Sequence, residues 1–156
     1  GLAQFLISML IMLTSLSGVF GEILGGFFAD KLGRLKTVNI GISLMILTVF
    51  ILLFKLPLFI APLLMVAWGL GWTMNHAGLS TMLTDLPQEF INESASLNSS
   101  VRFISGGLGA ALAALLMQRS FVLGFSVFGL SLVLLFIFSK PFLSLFENLV
   151  FINRKE

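Results

Sequence analysis

Apolar residues along the chain fall into five long runs separated by short polar breaks. The runs cover about 2–29, 37–54, 58–83, 95–117 and 121–139, and the first holds a single charged residue, Glu22. At about 1.5 Å per residue each is long enough to cross a hydrocarbon core of about 30 Å. Backbone amides find no water at that depth, so each run must be helical, and the two-residue alternation of a barrel strand is absent. The pattern predicts an all-α fold: a polytopic membrane helix bundle of five transmembrane helices over 1–140. A tail, 141–156, follows. It opens on Pro141, and Phe142, Leu145, Phe146 and Leu149 recur in it at helical spacing, as in a short helix lying in the cytoplasmic interface.

Composition sharpens this. Of 156 residues 58% are hydrophobic and only 10% charged, against about 25% in a soluble domain. The net charge of +2 gives no reason to expect a nucleic-acid partner. With no cysteine, disulfides and thiolate metal sites are excluded. A single histidine and the lack of a phosphate loop argue against an enzyme and against ATP-driven transport by this chain. No metal and no cofactor are expected. The chain opens on Gly-Leu-Ala with no basic leader, so no cleavable signal peptide is expected, and the missing initiator Met points to a fragment.

The breaks set an expected topology. Lys31, Arg34 and Lys36 fill the first, Lys55 the second and Arg119 the fourth; Asp85, Glu89 and Glu93 occupy the third, and Lys140, Arg154 and Lys155 follow the last run. Cations favour the first break and the C-terminus, which five spans place on one side. That side is expected to be cytoplasmic.

The stretch 25–36, "GGFFADKLGRLK", asks for more than a charge rule. Gly18, Gly21, Gly25 and Ala29 share a narrow arc at helical spacing, as on a close packing face. That leaves unexplained an aspartate closing the helix and a glycine three residues later. Gly26, Asp30, Lys31, Gly33 and Arg34 resemble the motif G-x-x-x-D-[RK]-x-G-R-[RK] of the major facilitator superfamily, which joins the second and third helices of those transporters and, in a weaker copy, the eighth and ninth. Leu35 stands where the last cation is expected, and Lys36 comes one place late. In the motif's logic Gly26 permits close packing, Gly33 a tight turn, and Asp30 and Arg34 either pair or meet a neighbouring helix dipole.

The resemblance extends along the whole chain. "VAWGLGWTMNHAG" is similar to a fourth or tenth helix and "SLNSSVRFISGGLGAALAALL" to a fifth or eleventh. Met65 stands where first-half helices often carry an Arg, and Gly106-Gly107-Leu108-Gly109 lacks the Gly-Pro pair of first-half antiporter helices. The resemblance therefore implies helices eight to twelve of a twelve-helix transporter, similar to bacterial drug–proton antiporters and sugar-efflux permeases. The implied partners are a small-molecule substrate, protons, the lipid bilayer and a missing N-terminal half. The implied location is a bacterial inner membrane.

Four places are candidates for chemistry. Glu22 lies eight residues before Asp30, roughly 12 Å into the core. An ionised carboxylate is costly there, so it either takes up protons or is held by a neighbouring helix as a packing group. Asn75 and His76, with Trp72 one turn and Trp68 two turns earlier, form a polar and aromatic stripe near mid-membrane. His76 then binds substrate, relays a proton, or simply bonds to a neighbouring helix. Arg102 either snorkels to the cytoplasmic interface or pairs with an acid or anionic substrate. The second and fifth runs carry few polar groups and read as lipid-facing. Two functions of different class result: a secondary transporter working by alternating access, in its most specific form proton-coupled efflux of a drug-like or sugar-like compound, or a truncated half-transporter or membrane scaffold without transport.

Overall fold

A computed structural model of the chain describes residues 2–54 and 56–153, with side chains over 3–145 apart from Lys55. Lys55, Arg154 and Lys155, which entered the charge argument, lie outside the described residues, as do the side chains of Phe146 and Leu149. Among the described residues the chain is all helical, and five helices are long and apolar enough to cross a membrane. These are α1 (Leu2–Leu32), α2 (Arg34–Ile51), α3 (Ala61–Leu83), α4 (Gln88–Arg119) and α5 (Phe121–Asn153).

Local chemistry sets the boundaries. Gly33 alone separates α1 from α2, at φ 93°, a backbone region that only glycine enters freely. Its carbonyl accepts the amide of Thr37 at 3.2 Å and the Thr37 hydroxyl at 3.0 Å, which starts α2 at once. A single 3-10 turn, Leu58–Ile60, leads into α3, where Pro62 falls in the first turn and needs no amide partner. Ser120, in an extended conformation, is the whole link between α4 and α5. Beyond Pro141 α5 continues to Asn153 as one helix, and Phe142 and Leu145 on this extension are exposed.

α3 is the centre of the bundle. α1 packs along one side of it and α2 along another, with α5 beyond α2. Both contacts on α3 are made by residues without bulk. A Cβ added at Gly25 would stand 2.7 Å from the Ala77 Cβ and 3.0 Å from the Met74 Cα, and one at Gly21 would meet Thr73 and the Leu70 backbone. On the other side a Cβ at Gly41 would come 2.6 Å from the Asn75 amide nitrogen and from the Gly71 carbonyl oxygen. Such contacts let two backbones approach until dispersion and dipolar terms act between them, the usual source of helix association in lipid. The arc of Gly18, Gly21, Gly25 and Ala29 thus meets α3, and Ala29 is buried.

The second run departs from expectation. α2 is not simply lipid-facing: Thr37, Val38, Gly41, Ile42, Met45, Thr48 and Val49 are buried between α3 and α5. Its packing face is made of small and branched residues, so a count of polar groups does not reveal it. The buried Thr37 and Thr48 hydroxyls donate to carbonyls one turn back, which satisfies them within their own helix. α4 is the opposite case, since none of its described residues is buried.

Candidate functional site

Three polar side chains from three helices converge beside α3. Arg102 of α4 donates from Nη1 to His76 Nε2 of α3 at 2.7 Å, and Glu22 Oε1 of α1 lies 3.9 Å from the same nitrogen. The position of each follows from helical phase. Glu22 comes one residue after Gly21, so it stands at the edge of the face that α1 presses on α3, half exposed. His76 precedes Ala77, which sits on that interface, and is displaced by about 100° to the flank. Arg102 meets His76, and its guanidinium also lies 5.5 Å from the Phe103 ring centre. An arginine can only donate, whereas a carboxylate can only accept. The imidazole nitrogen between them can face either one, according to whether it carries a proton.

A groove of about 530 Å³ lies between α1 and α3, one helical turn from this cluster, lined by Thr14, Ser15, Gly18, Trp68, Gly69, Trp72 and Thr73. Trp72 is one turn from His76 and Gly18 one turn from Glu22, so the groove and the charged cluster adjoin. Trp72 is half exposed there. The Thr14, Ser15 and Thr73 hydroxyls donate to carbonyls of their own helices, which leaves oxygen lone pairs for a second partner. These hydroxyls escaped the sequence reading. The available signal was their position beside Gly18 and Gly69 on the two close-packed faces.

Asn75 does not join this site. Adjacent residues on a helix diverge by about 100°, and Asn75 turns to α2, where its Cβ lies against Gly41. Its Oδ1 is buried without a hydrogen-bond partner among the described residues. The expected stripe therefore reduces to Trp68, Trp72 and His76.

The motif residues are arranged differently from the sequence expectation as well. Gly33 makes the tight turn. Arg34, however, forms its ion pair with Asp85, just beyond α3, rather than with Asp30, which is exposed at the end of α1. Lys31 folds over the Phe27 ring at 4.4 Å. Lys36 is exposed on the first turn of α2. Gly26, one residue past Gly25, points off the packing face, and a Cβ there would meet nothing within 4 Å. Close packing at Gly26 is not made within the described residues; Gly21 and Gly25 make it.

Five spanning helices, a glycine-packed centre and a polar cluster opening on a groove define a polytopic membrane protein of transporter architecture. Residues 1–114 match the Major Facilitator Superfamily, and the chain belongs to that family of secondary transporters. No curated protein and no solved structure matches it.

Proposed function

We propose that the chain forms helices eight to twelve of a twelve-helix transporter that exports a drug-like or sugar-like compound in exchange for protons. The reading rests on the Glu22–His76–Arg102 cluster. Neutral His76 accepts from Arg102. When Nε2 takes up a proton it can no longer accept, and the ionised Glu22 carboxylate 3.9 Å away becomes its partner. One proton thus changes which helix, α4 or α1, holds α3. Alternating access needs such a difference between two states. Support for a larger bundle comes from α4, whose Gly106, Gly107 and Gly109 have no neighbour within 4 Å of an added Cβ. Those are the residues that let a further helix approach closely.

The test uses the twelve-helix protein in proteoliposomes, with ethidium and a labelled β-galactoside as probes. Glu22→Gln keeps the shape and removes the charge that would pair with protonated His76. It should abolish accumulation driven by a proton gradient and preserve substrate exchange. Driven transport at the parent rate would reduce Glu22 to a packing residue. A reading frame upstream of Gly1 that holds no further spans would favour a scaffold over a transporter.

A further inference from the structure

A second groove, of about 490 Å³, lies between α2 and α5, away from the Glu22 cluster. It is lined by Lys36, Asn39, Ile40, Ser43, Leu44, Leu47, Phe136 and Lys140. From this groove we infer a binding site for one anionic glycerophospholipid.

Its polar end is built from donors. Lys36 and Lys140 are both exposed, and among the described residues neither has an acidic partner within 4 Å. Lys140 folds back along α5, with Nζ 5.1 Å from the Phe136 ring centre, so its charge stays over the groove. Between the lysines the Ser139 hydroxyl donates to Asn39 Oδ1 at 3.3 Å, which joins the two helices. That bond leaves the Asn39 amide NH₂ for an outside acceptor. Two ammonium groups and an amide donor complement a phosphodiester, and no carboxylate lines the groove to oppose it.

Apart from Ser43, whose hydroxyl donates to the Asn39 carbonyl of its own helix, the rest of the groove is apolar and has the depth of one leaflet. Lys36, Ile40, Leu44 and Leu47 make one stripe along α2. The eleven helical steps from Lys36 to Leu47 rise about 16 Å, roughly half of a hydrocarbon core of about 30 Å. Phe136 forms the facing wall from α5. A free phosphate would use only the top of this site, whereas a phospholipid uses both parts.

Native mass spectrometry of the purified full chain, delipidated and then titrated with phosphatidylglycerol or phosphatidylcholine, tests the site. Phosphatidylglycerol should be retained and phosphatidylcholine should not. Each lysine near a membrane surface is worth about a fivefold change in affinity. Lys140→Gln should therefore weaken retention about fivefold, and the Lys36→Gln/Lys140→Gln pair about twenty-five-fold. Lys140→Arg should restore it. Leu47→Ser should also weaken it, because exposed Leu47 reaches the acyl part alone. Equal retention of the two lipids, or parent retention by the double lysine variant, would overturn the proposal. So would displacement of the lipid by millimolar inorganic phosphate with Leu47→Ser unaffected, which would mark a simple anion site. Both lysines are exposed, so loss of fold does not confuse the result.

Discussion

Arg102 and His76 are 26 residues apart in sequence, yet they join α4 to α3 through a 2.7 Å contact between Nη1 and Nε2. It is the side-chain hydrogen bond that ties the otherwise unburied α4 to the centre of the bundle. Replacing Arg102 by Ala should loosen α4 and impair transport, whereas His76→Gln, which keeps an acceptor, should preserve the tie and lose proton uptake. A double-mutant cycle on Arg102→Ala and His76→Ala, read by thermal unfolding in detergent, should give a coupling of about 0.6–1.7 kcal/mol. Additive effects would show that the contact does not hold α4.

Gly21 and Gly25 should be far less replaceable than Gly26. A leucine at Gly25 must displace the backbone of α3 near Met74, an overpacking that costs about 1–3 kcal/mol or more. A leucine at Gly26 meets open space among the described residues. Yield of folded protein after membrane extraction should drop sharply for Gly25→Leu and stay near the parent for Gly26→Leu.

The Arg34–Asp85 pair links the α1–α2 turn to the segment after α3. Arg34 is a third exposed, so the pair is worth about 1 kcal/mol at most. That is still about fivefold in a conformational equilibrium. Arg34→Gln and Asp85→Asn should shift the alkylation rate of a cysteine placed at Thr14, in the groove, in the same direction. The exchange Arg34→Asp with Asp85→Arg should return it toward the parent value. Opposite shifts from the two single variants would separate the residues.

Asn75 is expected to behave unlike its neighbour. Its buried Oδ1 has no partner among the described residues, and an unpaired buried polar group costs about 1–3 kcal/mol. Asn75→Ala should therefore leave stability unchanged or raise it, measured by thermal unfolding, with transport retained. His76→Ala should lose transport.

Topology can be read directly. Single cysteines at Lys36 and Asn153 should resist an impermeant thiol reagent in whole cells, and those at Lys55 and Arg119 need not. Labelling of Lys36→Cys from outside would reverse the orientation.

The spans were legible because hydrophobic length in lipid leaves the backbone one solution. Gly33 was legible because a single glycine between two helices has few other uses, and the Gly18–Ala29 arc because small residues recur with the helical period. Pairings between helices were not legible. Nothing in the spacing of Arg34 and Asp85 states that they meet, and the motif offered Asp30 or a neighbouring helix dipole as the partner instead. The face that Gly26 takes was available from its phase: one residue past Gly25 is about 100° around the helix, which turns it off the α1–α3 contact. The same step separates Asn75 from His76. The burial of α2 was hidden because its contact surface is apolar on both sides, and lipid and protein ask for similar residues there.

Backbone contact on two sides of α3, through Gly21 and Gly25 of α1 and through Gly41 of α2, has a mechanical consequence. A rod gripped along two lines cannot spin about its own axis. Trp72 and His76 are therefore expected to keep their bearing relative to α1 and α2 as the protein moves. The three helices can tilt only as one plate, stiffened at one rim by the single-residue joint at Gly33. Relative motion is left to α4, which rests on that plate through few atoms. The expected line of movement then runs along the seam where Arg102 touches His76, and the groove between α1 and α3 should keep its shape while α4 moves past it.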